Sequence, residues 1–361
     1  MRIATMVKGY LTVPTPADIV YAPADLAIQI SNGLIEKGHT VDFYAPKGSK
    51  PGKANLHTKG LKPLAYSYNE FQSLLVNPGY ASDNVLASWD YYLAGEMFAR
   101  ANRGEYDILL FHHPETAFPF VQLFPHVKVA YIMHDPINSL QQTMLEMHKT
   151  KNVQLISISE KQRESAPNLP YLATIYNGID TSVFKPGKTP KDDYLLFLGS
   201  ILPRKGTKEA IEVALRSKRR LVIVGPTYPD NQEYFKTYVE PYIDGSQITY
   251  LGHLPHQSAP ELFQKAAAFL MPIQWEEPFG LTMAEALACG TPVLAFNRGS
   301  VSEIVEHGKT GFITSSVEEM AESVSRLSTI NPADCRATAV KRFSVDAMVK
   351  GYEKAFLKLL K

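Results

Sequence analysis

The run AFLMPIQWEEPFGLTMAEALACGTPVLAF, residues 268–296, decides how this chain is read. Ala268–Met271 is wholly apolar and short, as a buried strand is, and Val293–Phe296 repeats the pattern. The stretch between them reads as a loop followed by a helix that starts near Pro278. Proline suits a first helical position because its missing N–H has no partner there. Strand, helix and strand in this order mark a parallel sheet with helices over its faces.

The loop between strand and helix carries the chemistry. With a helix start near Pro278, the N–H groups of Phe279, Gly280 and Leu281 face outward, an arrangement that holds phosphate. Gly280 has no Cβ to keep a phosphate from the backbone. Glu277 and Glu285 are eight residues apart, about 12 Å along a helix. Glycosidase carboxylates work on one bond from roughly 5–10 Å, so this pair does not suit that task. It suits two grips at opposite ends of a sugar–diphosphate–ribose. Two solvated charges near a helix start would show the same residues.

Working outward, the alternation continues on both sides. Downstream of the loop NGIDTSVFKPGKTPKDD, strands are expected at Tyr194–Leu198, Leu221–Val224 and Ile248–Leu251, with helices between. Upstream, they are expected at Ile3–Val7, Val41–Tyr44, Ile108–Phe111, Val127–Met133 and Val153–Ile158, with a helix over Asp25–Lys37 and a helical stretch over Leu61–Arg103. The last segment, Val345–Leu360, reads as one amphipathic helix. Two such series in 361 residues predict an α/β chain of two doubly wound, Rossmann-like domains facing each other across a cleft. The expected division is 1–185 and 186–344, the Gly, Pro, Lys and Asp of 185–193 suiting a boundary. Ligands of such sheets sit outside the C-terminal ends of the strands.

Three further clusters lie at expected strand ends. In LFLGSILPRKGTKEA, residues 196–210, Ser200 follows the strand-ending glycine, and Arg204 and Lys205 can neutralise a diphosphate. An ordinary basic loop is the alternative. His112 and His113 end one N-terminal strand and His134 another; each is also open to a packed or capping role. No third ligand stands at a recognisable spacing, so zinc is not expected. The first loop, KGYLTVPTPADIVYAPAD at 8–25, lacks the dinucleotide fingerprint. It could cover a ligand, with Tyr21 and Asp25 as candidate contacts.

Composition excludes several classes. The formal charge is +1, and residues 1–180 and 181–361 carry −1 and +2. Neither half has a surface for nucleic acid, and membrane contact is at most weak and peripheral. No apolar run nears the ~18 residues of a membrane span, and the N-terminus lacks the apolar stretch of a signal peptide. Two cysteines, Cys289 and Cys335, make no disulfide framework. A cytoplasmic location is expected.

Several elements occur together and in order: EPFGLTMAE from Glu277 to Glu285 with GTPV after it, Lys205–Gly206 past a strand end, NGID–x3–F–x–P at Asn177–Pro186, and SEIVEHGKTGFI at 302–313. In this the chain resembles the retaining family 4 glycosyltransferases of the GT-B fold, and PIQWEEPFGL resembles the branch that includes avilamycin-pathway glycosyltransferases. The resemblance implies that Glu277 holds sugar hydroxyls and Glu285 the ribose. Lys205, helped by Arg204, would bind the diphosphate, and the amides of Phe279, Gly280 and Leu281 would cradle the β-phosphate. His134 matches the family histidine near the transferred sugar. It implies transfer from a nucleotide-sugar donor to a carbohydrate or other hydroxyl acceptor, with no metal or other cofactor, with His112, His113, Tyr21 and Asp25 as acceptor-side candidates, and with the final helix, 345–361, crossing back onto the domain 1–185. The family often has arginine where Ser200 stands, and Gly-Gly before an acidic residue where this chain has Ala22-Pro23-Ala24-Asp25. An inactive carbohydrate- or partner-binding protein and a sugar-nucleotide epimerase are the alternative readings.

Overall fold

In a computed structural model of the chain, which describes residues 1–16, 19, 21–76 and 83–361, two parallel sheets account for all the strands. The first contains β1 (Arg2–Met6), β2 (Thr40–Tyr44), β3 (Asn55–His57), β4 (Ile108–Phe111), β5 (Val129–Ile132), β6 (Val153–Ser157) and β7 (Tyr171–Thr174), in the order β3-β2-β1-β4-β5-β6-β7. The second contains β8 (Tyr194–Leu198), β9 (Arg220–Val224), β10 (Ile248–Tyr250), β11 (Ala268–Met271), β12 (Val293–Phe296) and β13 (Gly311–Thr314), in the order β10-β9-β8-β11-β12-β13. Every residue of β4, β5, β11 and β12 is buried. Helices on both faces leave no solvated side, so these central strands are apolar runs without alternation.

The order of strands reverses once in each sheet, between β1 and β4 and between β8 and β11. Loops leaving the C-terminal ends of neighbouring strands diverge there, and the backbone leaves a crevice. The loops after β1 and β4, and those after β8 and β11, are the ones the sequence singled out.

The chain packs as two compact units, Met1–Gly178 with Val345–Lys361, and Ile179–Ser344. The division falls after Gly178, ahead of the 185/186 boundary expected from composition. The reason is local: Phe184 is buried beside Phe263, and Arg336 donates to the carbonyls of Phe184 at 2.6 Å and Thr181 at 2.9 Å, fastening 179–184 to the second unit.

The helix Val345–Leu360 buries Met348, Val349, Tyr352, Ala355 and Phe356 in the first unit. It lies against the helix Ala22–Glu36, where a Cβ on Gly33 would fall 2.4 Å from Val349 Cγ2. Burying each large side chain contributes roughly 2–3 kcal/mol. Glu353 closes this contact with an ion pair to Lys37 and a hydrogen bond to His39 Nε2, each at 3.1 Å. The helical stretch expected over 61–103 divides into Tyr68–Val76 and Asp83–Asn102; its span at 77–82, like 17, 18 and 20 of the first loop, lies outside the described residues. Among the described residues no helix is long and apolar enough to cross a membrane.

Candidate functional site

The second unit builds its site from three loops. After β8 the chain passes Gly199 and Ser200, makes a short turn at Pro203–Lys205, and enters the helix Thr207–Ser217 through Gly206. Gly206 has φ +80°, and a Cβ on it would lie 1.9 Å from the Pro272 carbonyl oxygen. Only glycine allows that conformation and that approach. It brings Arg204 and Lys205 alongside the loop after β11, where the Gln274 N–H donates to the Arg204 carbonyl at 2.8 Å.

The loop after β11 is held from its other side by the turn after β12. Gly299 has φ +55°, and a Cβ there would lie 2.2 Å from the Glu277 carbonyl oxygen. The Gly299 N–H donates to Glu276 Oε2 at 2.8 Å, the Ser300 N–H to the Glu277 carbonyl at 2.9 Å, and Ser300 Oγ to the Phe279 carbonyl at 2.7 Å. Sequence reasoning passed over Gly299 and Ser300. Their signal was a glycine three residues past a strand-ending apolar run, NRGS after Phe296.

So clamped, the loop presents its acid. Glu277 is 9% exposed, and its Oε2 accepts from Lys205 Nζ at 2.8 Å and from Trp275 Nε1 at 3.1 Å. Among the described residues, no hydrogen bond reaches Oε1. Arg204 and Lys205 both lie over the Trp275 ring, 4.8 and 5.2 Å from its centroid. Trp275 was not among the expected site residues.

The helix after this loop does not begin at Pro278. It runs Leu281–Ala288, with Gly280 as N-cap at φ +77° and ψ 70°. A left-handed residue cannot continue a right-handed helix, so Pro278 and Phe279 stay in the loop. Of the three amides expected at the helix mouth, Leu281 is the first helical residue and Gly280 its cap. Phe279 lies upstream, its ring buried edge-on against Phe343 at 5.7 Å. Glu277 and Glu285 are therefore not on one helix, and the 12 Å helical spacing does not describe them. Glu285 is 5% exposed on the first turns. Its Oε1 accepts from His256 Nε2 at 3.0 Å, while Oε2 is buried without a partner among the described residues. His256, 67% exposed on the loop after β10, was also missed. Ser200, half-buried, follows β8 in the same group of strand-end loops.

The first unit has its own set at the ends of β1, β4 and β5. His112 Nδ1 and His134 Nε2 are 2.9 Å apart. Burial, and then the neighbouring histidines, lower both imidazoles, His112 to about 3, so both are neutral near pH 7. His113 hydrogen-bonds the Tyr21 hydroxyl and stacks on its ring, with Glu115 3.5 Å from its other nitrogen. Burial also lowers His113 and raises Tyr21. Lys8 ties this group to the helix Asp83–Asn102, lying 2.7 Å from Glu115 and 3.8 Å from Asp90. Asp90 accepts from the Gly9 N–H at 2.5 Å, and burial pushes its carboxyl up to about 6 against the pull of Lys8 and that N–H. Asp25 is exposed in the first turn of the helix Ala22–Glu36, so Ala22-Pro23-Ala24-Asp25 is helix and not loop. Pro23 removes one of the N–H groups a helix start would offer.

Residues 178–341 match the family described as glycosyl transferases group 1, less than half of the 361-residue chain. Bacillus subtilis YtcC, whose name marks it as a candidate glycosyltransferase, is 26% identical over 67% of this chain and 68% of its own length. Among solved structures, the avilamycin A biosynthesis glycosyltransferase AviGT4 superposes with a TM-score of 0.69 at 20% identity, covering 99% of this chain and 98% of its own. HepE of Anabaena, solved in complex with UDP, superposes with a TM-score of 0.73 at 18% identity over 99% of this chain and 100% of its own. The second unit of this chain is thus a group 1 glycosyl transferase domain, and the two parallel sheets of the chain, one in each unit, are those of the GT-B fold.

Proposed function

We propose that this chain is a retaining family 4 glycosyltransferase that moves a sugar from a nucleotide-sugar donor to a hydroxyl acceptor. One observation carries the reading. The loops after β8 and β11, at the switch point of their sheet, bring Lys205 and Glu277 within 2.8 Å of each other, just ahead of the helix that holds Glu285.

In this reading the diphosphate of a UDP-, GDP- or other nucleotide sugar lies at the N-terminus of the helix Leu281–Ala288. The amides of Leu281 and Gly280, with Lys205 and Arg204, meet the negative charge that grows as the bond to the sugar breaks. This hexosyltransferase-type chemistry (the EC 2.4 class) needs no metal here, because the fixed cations and amides serve the leaving group. Glu277 Oε1 accepts from a sugar hydroxyl. The partnerless Oε2 of Glu285 accepts from the ribose, which relieves a buried acceptor that is otherwise costly. The acceptor oxygen attacks from the face the diphosphate leaves, and its proton passes to a departing phosphate oxygen, so the anomeric configuration is kept. His134, neutral, is suited to hydrogen-bond a hydroxyl of the transferred sugar. His112, His113, Tyr21 and Asp25 are assigned to the acceptor side. Work in the cytoplasm goes with this reading. The complexes of HepE with UDP and UDP-glucose support a nucleotide-sugar donor.

The test is an assay of the purified chain against a panel of UDP, GDP and other nucleotide sugars with sugar and non-sugar hydroxyl acceptors. The expected result is a product with the donor's anomeric configuration, formed equally well with a chelator present. Absence of both transfer and donor hydrolysis across the panel overturns the reading.

A further inference from the structure

Trp275 touches three charged groups at the head of the loop after β11, those of Glu277, Arg204 and Lys205. Its indole N–H donates to Glu277 Oε2 at 3.1 Å, the same oxygen that accepts from Lys205 at 2.8 Å. Its ring face carries Arg204 at 4.8 Å and Lys205 at 5.2 Å. The ring is half-buried, and the residue before it is held by the hydrogen bond from the Gln274 N–H to the Arg204 carbonyl.

We infer that Trp275 is a positioning residue of the donor site, holding Glu277 in place through its N–H and presenting Arg204 to the diphosphate on its ring face. This rests on the donor-site reading above. Without ligand, Lys205 and Glu277 neutralise each other. A diphosphate that draws the Lys205 ammonium away removes one of the two donors to Oε2. The indole N–H remains, so Oε2 stays occupied and Oε1 stays turned to the sugar. Arg204 is exposed, and a guanidinium on a free side chain would sample many directions. The electron-rich ring face limits them. Next to Gly199, past the end of β8, stands Ser200, which carries no charge. Arg204 on Trp275 supplies the cation from four residues further along.

The two contacts can be separated by substitution. Trp275→Phe keeps a ring face and removes the N–H; Trp275→Leu removes both. Binding of UDP, GDP and ADP to the full chain is measured by calorimetry, the tightest serving as probe, and kcat and KM are measured with the matching donor. The Phe variant is expected to bind the nucleoside diphosphate within about threefold of wild type while kcat falls about tenfold. The Leu variant is expected to show the same loss in kcat and about tenfold weaker binding. Arg204→Ala should weaken binding in the wild type and do little more in the Leu variant. If the Leu variant does not fold, Trp275→Tyr beside Trp275→Phe still tests the N–H, since both keep a ring and neither keeps the indole donor.

Wild-type kcat in the Phe variant, or equal binding by the Phe and Leu variants with Arg204→Ala fully additive, overturns the inference. Glu277→Gln and Lys205→Ala tell its failure from that of the reading beneath it. If they abolish transfer while the Trp275 variants are silent, this inference alone falls. If they leave transfer intact, both fall.

Discussion

Lys205 Nζ and Glu277 Oε2 stand 2.8 Å apart, although 72 residues separate them in the chain. They meet because β8 and β11 are neighbours in the sheet, and the loops that follow them touch through Gly206 and Pro272. Removing either partner should be costly in different ways. Glu277→Gln keeps the shape and loses the charge, so stability should change by less than about 1 kcal/mol. Lys205→Ala leaves a largely buried carboxylate with the indole N–H as its remaining donor and should cost about 1–3 kcal/mol. Both should lower kcat/KM by about 10²–10³. Chemical denaturation and steady-state kinetics on the two variants check this.

The backbone approach at Gly299 predicts a second effect. Gly299→Ala places a Cβ 2.2 Å from the Glu277 carbonyl oxygen at a left-handed φ. The loop must move, so donor KM should rise at least tenfold, with a loss of about 2 kcal/mol or more in stability. Gly308→Ala, also at positive φ but with nothing within 4 Å of the added Cβ, is the control. It should cost about 1 kcal/mol and leave KM unchanged.

Asp90 gives a pH signature. Its carboxyl is pushed up to about 6 by burial, well above an unfolded aspartate, so the folded chain binds the proton more tightly between about pH 4 and 6. Stability from this group is fully present below pH 4 and is lost as pH rises through 6. The loss is on the order of 2–3 kcal/mol. Asp90→Asn, which keeps an acceptor for the Gly9 N–H, should flatten that part of the profile in urea titrations from pH 4.5 to 7.5.

At Glu285 the two oxygens have different fates. Glu285→Gln should raise donor KM ten- to a hundredfold with kcat within about threefold, as expected where the loss is in binding shared by ground and transition states. His256→Ala removes an exposed partner and should change KM by no more than about threefold. A drop in kcat without a change in KM for Glu285→Gln would contradict a ribose grip.

Much of the architecture was readable because central strands of covered sheets are continuous apolar runs. Ala268–Met271, Val293–Phe296 and the helix Val345–Leu360 have the bounds expected from their patterns. The strands that escaped, β3, β7 and β13, are all at sheet edges. NLH and YLAT lack a fully buried run, and GFIT is shielded by one neighbour, giving four residues no distinctive pattern. At the site, the residue types of Glu277, Glu285 and Lys205 were readable. The pairing of two of them was not, because it depends on strand order. Pro278 misled because a proline that opens a helix and one that lies in a loop just ahead of it look alike until the left-handed Gly280 is seen.

The loop after β11 is gripped by main chain on both flanks, Gly206 against Pro272 on one side and Gly299 against Glu277 on the other. Among the loop's acidic side chains, Glu276 takes part in that grip, its carboxylate accepting from the Gly299 N–H. Side chains that take no part in it can be re-engineered without loosening the frame, whereas exchanging either glycine would spoil every design built on it.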